Sequence, residues 1–527
     1  MGLLSDRELA GLRPAETHAF AGPIPTQSVS SDEFMPAPQT RRQRRVEARV
    51  KELGAALAKR HGMTRRRFLA TASGMAAAFL AMNEVYGALY DVNAAEAQTP
   101  GMAKERADAL SKQFVMDCHT HFLRDDTRIM TFVRQRQAVG KAGWNKALAG
   151  KEQTIEDLKF ANYYKEVFLD SDTKVALLSG SPSEVPQDWF LTNEMKAEAR
   201  ARVNKDAGSR RMLSHAIFTP GYPGWLEQVD HAIRDLKPDS FKGYTIGDNT
   251  NKNLSKHPWR MDDDKLVYPF YEKLLKAGYD KVCVHKGLFP PSVEHQFPHL
   301  LAYSDVRDVG KAAKDWPRMN FVIYHGGYRF AGGGKAEDAW TQFEKTGRIE
   351  WVTDLADIPS KYGVSNVYAD VGQLFAQTTI ADPRVSAAMM GMLIRGLGAD
   401  HVVWGTDAIW TGSPQWQIEA LRRLEIPEDM QKQHGFKPLG PADGPVKSTI
   451  LGETNARLLQ GRAARRAGHR PHRRAEGGVR AGGEPAEQPA LRLRGGVAGL
   501  TGARATRIAG RGGDSVTTRP RARGAGR

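Results

Sequence analysis

Cysteine is almost absent from this sequence. Only Cys118 and Cys283 occur among its 527 residues. Small secreted proteins that are held together by disulfide bonds need several cysteine pairs, so two cysteines are too few for such a framework. The chain is therefore not a disulfide-stabilised scaffold.

Long apolar runs are also missing. The stretch TRRRFLATASGMAAAFLAMN, which starts at Thr64, is Ala-rich and only mildly apolar. It is too short and too weakly apolar to form a stable transmembrane span. We therefore expect no stable membrane span from this segment.

The same stretch resembles a twin-arginine export signal, and a small-x-small pattern typical of a signal peptidase site follows it. This resemblance predicts a protein that is recognised by the twin-arginine export machinery, exported in folded form, and periplasmic or secreted. The alternative is an amphipathic helix that caps the folded domain. Residues 1–62 are rich in Pro, Gln and charge and are predicted to be disordered, so residues 1–97 form an N-terminal extension. The matching residues are Arg65, Arg66, Phe68 and Leu69, with Ala95, Glu96 and Ala97 at the cleavage pattern.

Clusters of basic residues are missing from the middle of the chain. The net charge is +16, but residues 461–527 contribute +12 of it, with 16 Arg, no Lys and four acidic residues. A nucleic-acid surface needs clustered Lys and Arg, so we expect no nucleic-acid partner for the folded part. The tail is rich in Arg, Gly, Ala and Pro and is predicted to be disordered. It is either a solvated basic tail or the product of a frameshift near residue 460.

Eight short apolar runs alternate with helical patterns between residues 98 and 460. The helical patterns include WLEQVDHAIRDLK, YPFYEKLLKAG and VSAAMMGMLIRGLG. Strands that alternate with helices in this number predict the α/β class and a (β/α)₈ TIM barrel, with disordered N- and C-terminal extensions. The predicted strands are residues 114–121, 174–180, 213–220, 240–246, 281–287, 320–327, 366–373 and 401–408.

Side chains that can bind metal follow several of these strands. His119 and His121 end the first strand, His285 the fifth, His325 the sixth and Asp407 the eighth. In a (β/α)₈ barrel the carboxyl ends of the strands meet at one mouth, where active sites lie. The sequence therefore predicts that these five side chains gather at one site.

The motifs DCHTH, CVHKG, IYHGG and WGTDA resemble the amidohydrolase superfamily, in particular the amidohydrolase family 2 group that includes aminocarboxymuconate-semialdehyde decarboxylase-like enzymes. The closing ILGETNARLL resembles the last helix of that group, so the resemblance covers roughly residues 112–459. It implies a (β/α)₈ barrel in which His119, His121, His285 and Asp407 bind a metal. His325 is then the catalytic histidine.

The predicted cofactor is one divalent metal ion. Three imidazoles and a carboxylate suit Zn²⁺, with Mn²⁺ or Fe²⁺ as alternatives. Lys242 ends the fourth strand, where some members of the superfamily have a carboxylated lysine that bridges two metals. In single-metal relatives a lysine there is a substrate-binding or structural group, and we favour that interpretation.

Other polar and aromatic residues near the strand ends are candidates for binding a small-molecule substrate. Lys286 and Arg329 could each hold a carboxylate, although both could equally be charges at the rim. Trp410 could line a pocket for a planar ligand. A homo-oligomer is compatible with the long loops, which could form a lid or a subunit contact.

The expected function is a metal-dependent hydrolase in which the metal activates water to attack an amide, ester or lactone of a small organic acid. Asp407 would accept the proton of that water, and His325 would polarise a carbonyl or carry a proton. The alternative is a metal-dependent non-oxidative decarboxylase, a lyase that acts on an aromatic or unsaturated carboxylic acid. A non-catalytic barrel-fold binding protein is a distant third.

Overall fold

A computed structural model describes residues 3–13, 20–27, 33–330 and 334–459. The C-terminal tail, residues 461–527, lies outside the described residues, so its predicted disorder and origin stay predictions. In the described part of the chain, no helix combines the length and the apolarity that crossing a bilayer requires.

The core is one parallel eight-stranded sheet in the order β1 to β8. Each strand pairs with the next one along the chain, as in the predicted (β/α)₈ barrel. The sheet closes between β1 and the segment after β8, where the Cys118 amide donates to the Trp404 carbonyl at 2.9 Å. The strands are β1 (Met116–Thr120), β2 (Val175–Leu178), β3 (Met212–Ile217), β4 (Ser240–Tyr244), β5 (Lys281–His285), β6 (Asn320–Tyr324), β7 (Val367–Asp370) and β8 (Val402–Val403).

Seven of the eight strands lie within the predicted ranges, β3 begins one residue before its predicted range, at Met212, and all eight end earlier than predicted. The last residues of each predicted run leave the sheet and form the mouth of the barrel. The difference between the predicted and the observed end of a strand is largest at β8, which ends at Val403. Asp407, within the predicted range, adopts a positive φ of 57° that is incompatible with a strand. This turn directs the Asp407 carboxylate into the barrel mouth.

Helices surround the barrel and cover the outer face of the sheet, as predicted from the periodic apolar segments. The second helix after β7 begins at Pro383, and Asp382 caps it by accepting from the Arg384 amide at 3.2 Å. These helices are Thr131–Lys141, Phe160–Tyr163, Asn193–Ala207, Trp225–His231, Tyr268–Lys276, Pro291–Gln296, Leu301–Ser304, Val309–Asp315, Gly334–Thr346, Val352–Ala356, Ile358–Tyr362, Leu374–Ala381, Pro383–Leu397, Gln415–Arg423, Glu428–His434 and Pro445–Ser448.

The described part of the N-terminal extension is largely helical. This differs from the disorder predicted for residues 1–62, because the helix Arg41–Arg60 buries Val46 and Val50 against apolar neighbours. The apolar part of the predicted export signal is also a helix, Ala72–Tyr86, with Phe79 fully buried. Cleavage and export stay predictions. The helices before β1 are Asp6–Gly11, Arg41–Arg60, Arg65–Leu69, Ala72–Tyr86, Ala94–Gln98 and Pro100–Leu110.

Polar contacts attach this extension to the barrel shell. The Tyr86 hydroxyl donates to the Ala381 carbonyl at 3.1 Å, and the Gln43 amide donates to the Ile380 carbonyl at 3.2 Å. Arg423 forms a buried ion pair with Glu96, with a hydrogen bond of 3.0 Å. The extension therefore packs on the side of the barrel that carries β7 and β8.

Candidate active site

His119 and His121 meet the Asp407 carboxylate at the end of β1. Oδ1 of Asp407 lies 3.1 Å from Nε2 of His119 and 3.2 Å from Nε2 of His121. The pairing register of β1 shifts between Asp117 and Thr120, and the Asp407 amide donates to the His119 carbonyl at 2.8 Å. The irregular end of β1 and the turn after β8 thus bring these three side chains together.

The three converging atoms fit a metal ion. Four ligand atoms in a tetrahedron at 2.0–2.2 Å from Zn²⁺ are separated from one another by about 3.3–3.6 Å. The separations of 3.1 and 3.2 Å around Oδ1 of Asp407 are close to that value. Two imidazole nitrogens and one carboxylate oxygen also form a common donor set for divalent transition metals. His119, His121 and Asp407 therefore form a suitable metal-binding group.

Asp370, at the end of β7, fixes the orientation of His119. Its Oδ2 lies 3.0 Å from Nδ1 of His119 and accepts from the His325 amide at 3.3 Å. A carboxylate that accepts from Nδ1 keeps the proton there and leaves the lone pair on Nε2, where a metal is bound. Burial raises the pKa of Asp370 to about 6.

His285 and His325 form a second group beside the first. Nδ1 of His325 lies 2.9 Å from the Gly372 carbonyl, and its Nε2 lies 3.0 Å from Nδ1 of His285. A carbonyl can only accept, so His325 carries its proton on Nδ1 and accepts from His285 through Nε2. His285 contacts His325 directly. His325 in turn lies next to His119, so it stands between His285 and the group of His119, His121 and Asp407.

Glu33 of the N-terminal extension reaches this second group. Its Oε2 lies 3.3 Å from Nε2 of His285, and the next residue, Phe34, packs on Leu288. Burial acts to raise the pKa of Glu33, but the charge and hydrogen bond of His285 outweigh it and lower the pKa. A carboxylate from outside the barrel therefore lies against the predicted metal ligand His285.

Lys242 projects from β4 into the same space. Its Nζ lies 2.9 Å from Nε2 of His119 and 4.3 Å from the centre of the Tyr324 ring. Burial lowers the pKa of Lys242 to about 8. The ammonium thus donates to the lone pair of His119 that a metal would take, so Lys242 belongs to the site as predicted by its position.

Aromatic side chains close the side of the site next to His121. The Trp410 ring stacks on the His121 ring with 5.6 Å between the ring centres and 21° between their planes. Phe132 and Phe190 pack against Trp410, with ring centres 4.8 and 5.3 Å away. Trp410 therefore lines the site, at the place where a planar ligand was expected.

Two of the predicted substrate-binding residues, Lys286 and Arg329, are paired with other residues of the chain. Lys286 is fully buried and donates to the Asp308 carboxylate at 2.8 Å and to the Tyr303 carbonyl at 3.0 Å. It follows His285, and successive side chains of a strand point to opposite faces. Arg329 pairs with Glu294 and Glu350 and lies over the Trp351 ring. Both cations are thus neutralised by other residues.

The site is shielded from solvent. His119, His121, His285, His325 and Asp407 are each at most 3% exposed. Burial lowers the pKa of His119, His121 and His325 well below the usual range of histidine. These imidazoles are therefore neutral at physiological pH, which is the form that offers a lone pair.

Sequence reasoning missed Asp370 and Glu33. Asp370 lies within the predicted seventh strand, 366–373, but three residues before its predicted end, so the rule that selected residues at strand ends passed over it. Glu33 lies in a segment with no strand pattern and 252 positions before His285. No local signal could have indicated that contact.

A family model described as Amidohydrolase matches residues 116–460 of the chain. The chain belongs to this amidohydrolase family, which is a family of enzymes, and its barrel and strand-end histidines agree with the resemblance stated above. A search of curated proteins finds no match.

Solved structures with a similar fold include enzymes of several reaction types. A 5-carboxyvanillate decarboxylase from Sphingomonas paucimobilis is 14% identical, with 66% of this chain and 99% of that chain covered and a TM-score of 0.38. A dihydroxybenzoic acid decarboxylase from Polaromonas sp. JS666, solved with bound manganese, is 13% identical, with coverage of 68% and 100% and a TM-score of 0.39. A probable 2-pyrone-4,6-dicarboxylic acid hydrolase from Acinetobacter baumannii is 14% identical, with coverage of 66% and 99% and a TM-score of 0.35.

Proposed function

We propose that this protein is a metal-dependent hydrolase of an amide, ester or lactone of a small organic acid. The observation that carries the proposal is the convergence of Nε2 of His119 and Nε2 of His121 on Oδ1 of Asp407, at 3.1 and 3.2 Å. These residues, with His285 as the further predicted ligand, would hold one divalent ion, for which Zn²⁺ is our first choice and Mn²⁺ or Fe²⁺ the alternatives. When bound, the ion polarises a substrate oxygen and acidifies water at neutral pH.

The residues of the chain can handle the protons of such a reaction. Asp407 Oδ1 lies between two imidazoles and can accept a proton from water that enters the site. His325 accepts a hydrogen bond on Nε2 from His285, so it can receive a proton there and pass it to a leaving group. Asp370 keeps His119 in the tautomer that leaves Nε2 free.

The second candidate is a non-oxidative decarboxylase, and the burial of the site favours it. Lys242 and the site histidines are almost entirely shielded from water. A site that excludes water destabilises a carboxylate relative to the neutral carbon dioxide that leaves. Here Lys242 or His325 would supply the proton that replaces the carboxyl group on carbon.

The two candidates are separated by product analysis of the metal-loaded protein. Hydrolysis of a panel of lactones, esters and amides without carbon dioxide release supports the hydrolase. Carbon dioxide release from hydroxybenzoates without hydrolysis of that panel supports the lyase. Absence of bound metal, and no turnover after metal is added, would indicate the non-catalytic barrel instead.

Two variants link the activity to the convergence of the three side chains. His121→Ala is expected to lose the metal and the activity together, since it removes one of the three converging atoms. His295→Ala is the matched control, because His295 is exposed and far along the chain from these residues. Retention of full activity by His121→Ala would refute the proposed site.

We also propose that the protein is exported in folded form. The support is the arginine pair before the apolar stretch and the exposure of Arg65 and Arg66. Cell fractionation tests this proposal by comparing the wild type with the Arg65→Lys, Arg66→Lys double variant. Accumulation of the variant in the cytoplasm is the expected result, and identical distributions would refute it.

A further inference from the structure

Two buried hydroxyls in the loop after β2 and one buried ammonium on the helix Asn193–Ala207 have no hydrogen-bond partner in the described part of the chain. They are the hydroxyls of Ser179 and Ser181 and the ammonium of Lys196. All three side chains are fully buried. Buried polar groups in folded proteins are almost always paired, so unpaired groups on and beside one loop require an explanation.

The ammonium of Lys196 lies beside the loop that carries the two serines. Gly180 stands between the two serines, and a side chain at Gly180 would begin 3.3 Å from Nζ of Lys196. Lys196 reaches this position from the helix Asn193–Ala207, which Thr192 caps. The ammonium is therefore directed at the loop that follows β2.

This loop is part of the wall of the active site. The Tyr244 hydroxyl donates to the Gly180 carbonyl at 3.0 Å, and Tyr244 stacks on His285 with 4.8 Å between the ring centres. On the other side, the Phe190 amide donates to the Ser181 carbonyl at 3.2 Å, and the Phe190 ring contacts His121 at 5.7 Å. The loop thus lies between the two groups of histidines.

Lys196 is the one buried lysine in the described part of the chain whose ammonium has no hydrogen-bond acceptor. Lys242 donates to His119, Lys252 to the Asn249 carbonyl, Lys286 to Asp308, and Lys447 to Glu425. A buried ammonium without an acceptor is unfavourable, because it loses its hydration and gains nothing in exchange. Glu194 is on the same helix but forms no hydrogen bond with Lys196 that would compensate.

We propose that Ser179, Ser181 and Lys196 form a subsite for an anionic group of the substrate, a carboxylate separate from the group that reacts at the histidines. An ammonium and two hydroxyls supply donors in number and charge for one carboxylate. Lys196 is then a specificity-determining residue, since it selects acids over uncharged analogues. This inference rests on the proposed function, because that function identifies the ligand of the subsite as a substrate. The subsite itself can be tested without turnover.

Formate, the smallest carboxylate, is the probe. Thermal unfolding of the full chain is measured at increasing sodium formate, with sodium chloride keeping the ionic strength constant. A ligand that binds only the folded state raises Tm as its concentration rises. We expect this rise in the wild type and its loss in Lys196→Met, which keeps an unbranched side chain of similar length without the charge.

Two further variants complete the test. Lys205→Met, on the exposed side of the same helix, should respond to formate like the wild type. The Ser179→Ala, Ser181→Ala double variant should need several-fold more formate for the same rise, and it serves as the test should Lys196→Met fail to fold. Without formate, Lys196→Met should be at least as stable as the wild type, because it removes a buried amino group that has no hydrogen-bond partner and whose pKa burial lowers well below its usual range.

The outcomes decide between a subsite and a structural role. No formate-dependent rise in the wild type, or an equal rise in the wild type and Lys196→Met, would overturn the proposal. Once a turnover assay exists, Lys196→Met should raise KM for an acidic substrate at least tenfold and change kcat much less. An absence of turnover in the presence of an intact formate response would refute the proposed function and leave the subsite standing.

Discussion

The Glu33 carboxylate, from the N-terminal extension, lies 3.3 Å from Nε2 of His285 at the barrel mouth. The two residues are far apart in the sequence, and both are mostly buried. Phe34 and Leu288 pack together next to this contact, so the extension covers the predicted metal ligand. A substrate that approaches His285 would therefore compete with Glu33 for the same space.

Replacement of Glu33 should make the site easier to reach. Glu33→Ala removes a carboxylate that lies 3.3 Å from Nε2 of His285, so it is expected to lower KM by roughly tenfold with little change in kcat. Steady-state kinetics measures the effect. Glu52→Gln, an exposed carboxylate on the helix Arg41–Arg60, is the control. An unchanged KM would show that the contact does not restrict access.

Asp370 is expected to control metal affinity without binding the metal itself. Asp370→Asn removes the charge that orients His119, and losses of this kind are typically about 10- to 100-fold in metal affinity or activity. Competition with a chelator measures the affinity. Asp443→Asn, an exposed replacement, should have no effect. Wild-type affinity in Asp370→Asn would contradict the orienting role.

Variants of His325 and His119 should separate a loss of catalytic rate from a loss of bound metal. His325→Gln removes a proton carrier, and such groups typically contribute about 10²- to 10⁴-fold to the rate, so kcat should fall by that order while bound metal stays near the wild-type amount. His119→Ala should lose the metal as well. Elemental analysis together with kcat for both variants is the measurement. Metal loss in His325→Gln would instead place His325 among the ligands.

Acid should weaken the attachment of the N-terminal extension. Burial acts to raise the pKa of Glu419, but Arg422 and Arg423 outweigh it and hold the pKa below the usual value of 4.5. The pKa of the folded state is therefore lower than that of the unfolded state, so the stabilisation is present above pH 4.5 and is lost as the pH falls below it. Arg423 also holds Glu96, so this loss affects the extension.

The measurement is Tm between pH 7 and pH 3 for the wild type and Glu419→Gln. Breaking a buried ion pair typically costs about 3–5 kcal/mol, so Glu419→Gln should unfold at lower temperature at pH 7. Its Tm should then fall less than that of the wild type as the pH decreases. The exposed Glu428→Gln is the control. Parallel pH curves for the wild type and Glu419→Gln would contradict the assignment.

The sequence determined the architecture of the barrel and most of its mouth. Eight apolar runs separated by amphipathic segments are a local property, since the periods of strands and helices are set by backbone geometry. The carboxyl ends of parallel strands converge in every such barrel, which is why His119, His121 and Asp407 could be assigned to one place from their positions alone. Their contact distances agree with that assignment.

Only the tertiary structure decided which charges are free and which segments cover the site. Whether Lys286, Arg329 or Lys196 has a partner depends on residues that are remote in the sequence, such as Asp308 for Lys286. The contact between Glu33 and His285 depends on the path of the N-terminal extension across the barrel mouth, and the burial of Ala72–Tyr86 depends on its packing. The physical reason is that secondary structure follows from local periodicity, whereas the pairing of charges follows from distances that exist only after the chain has folded.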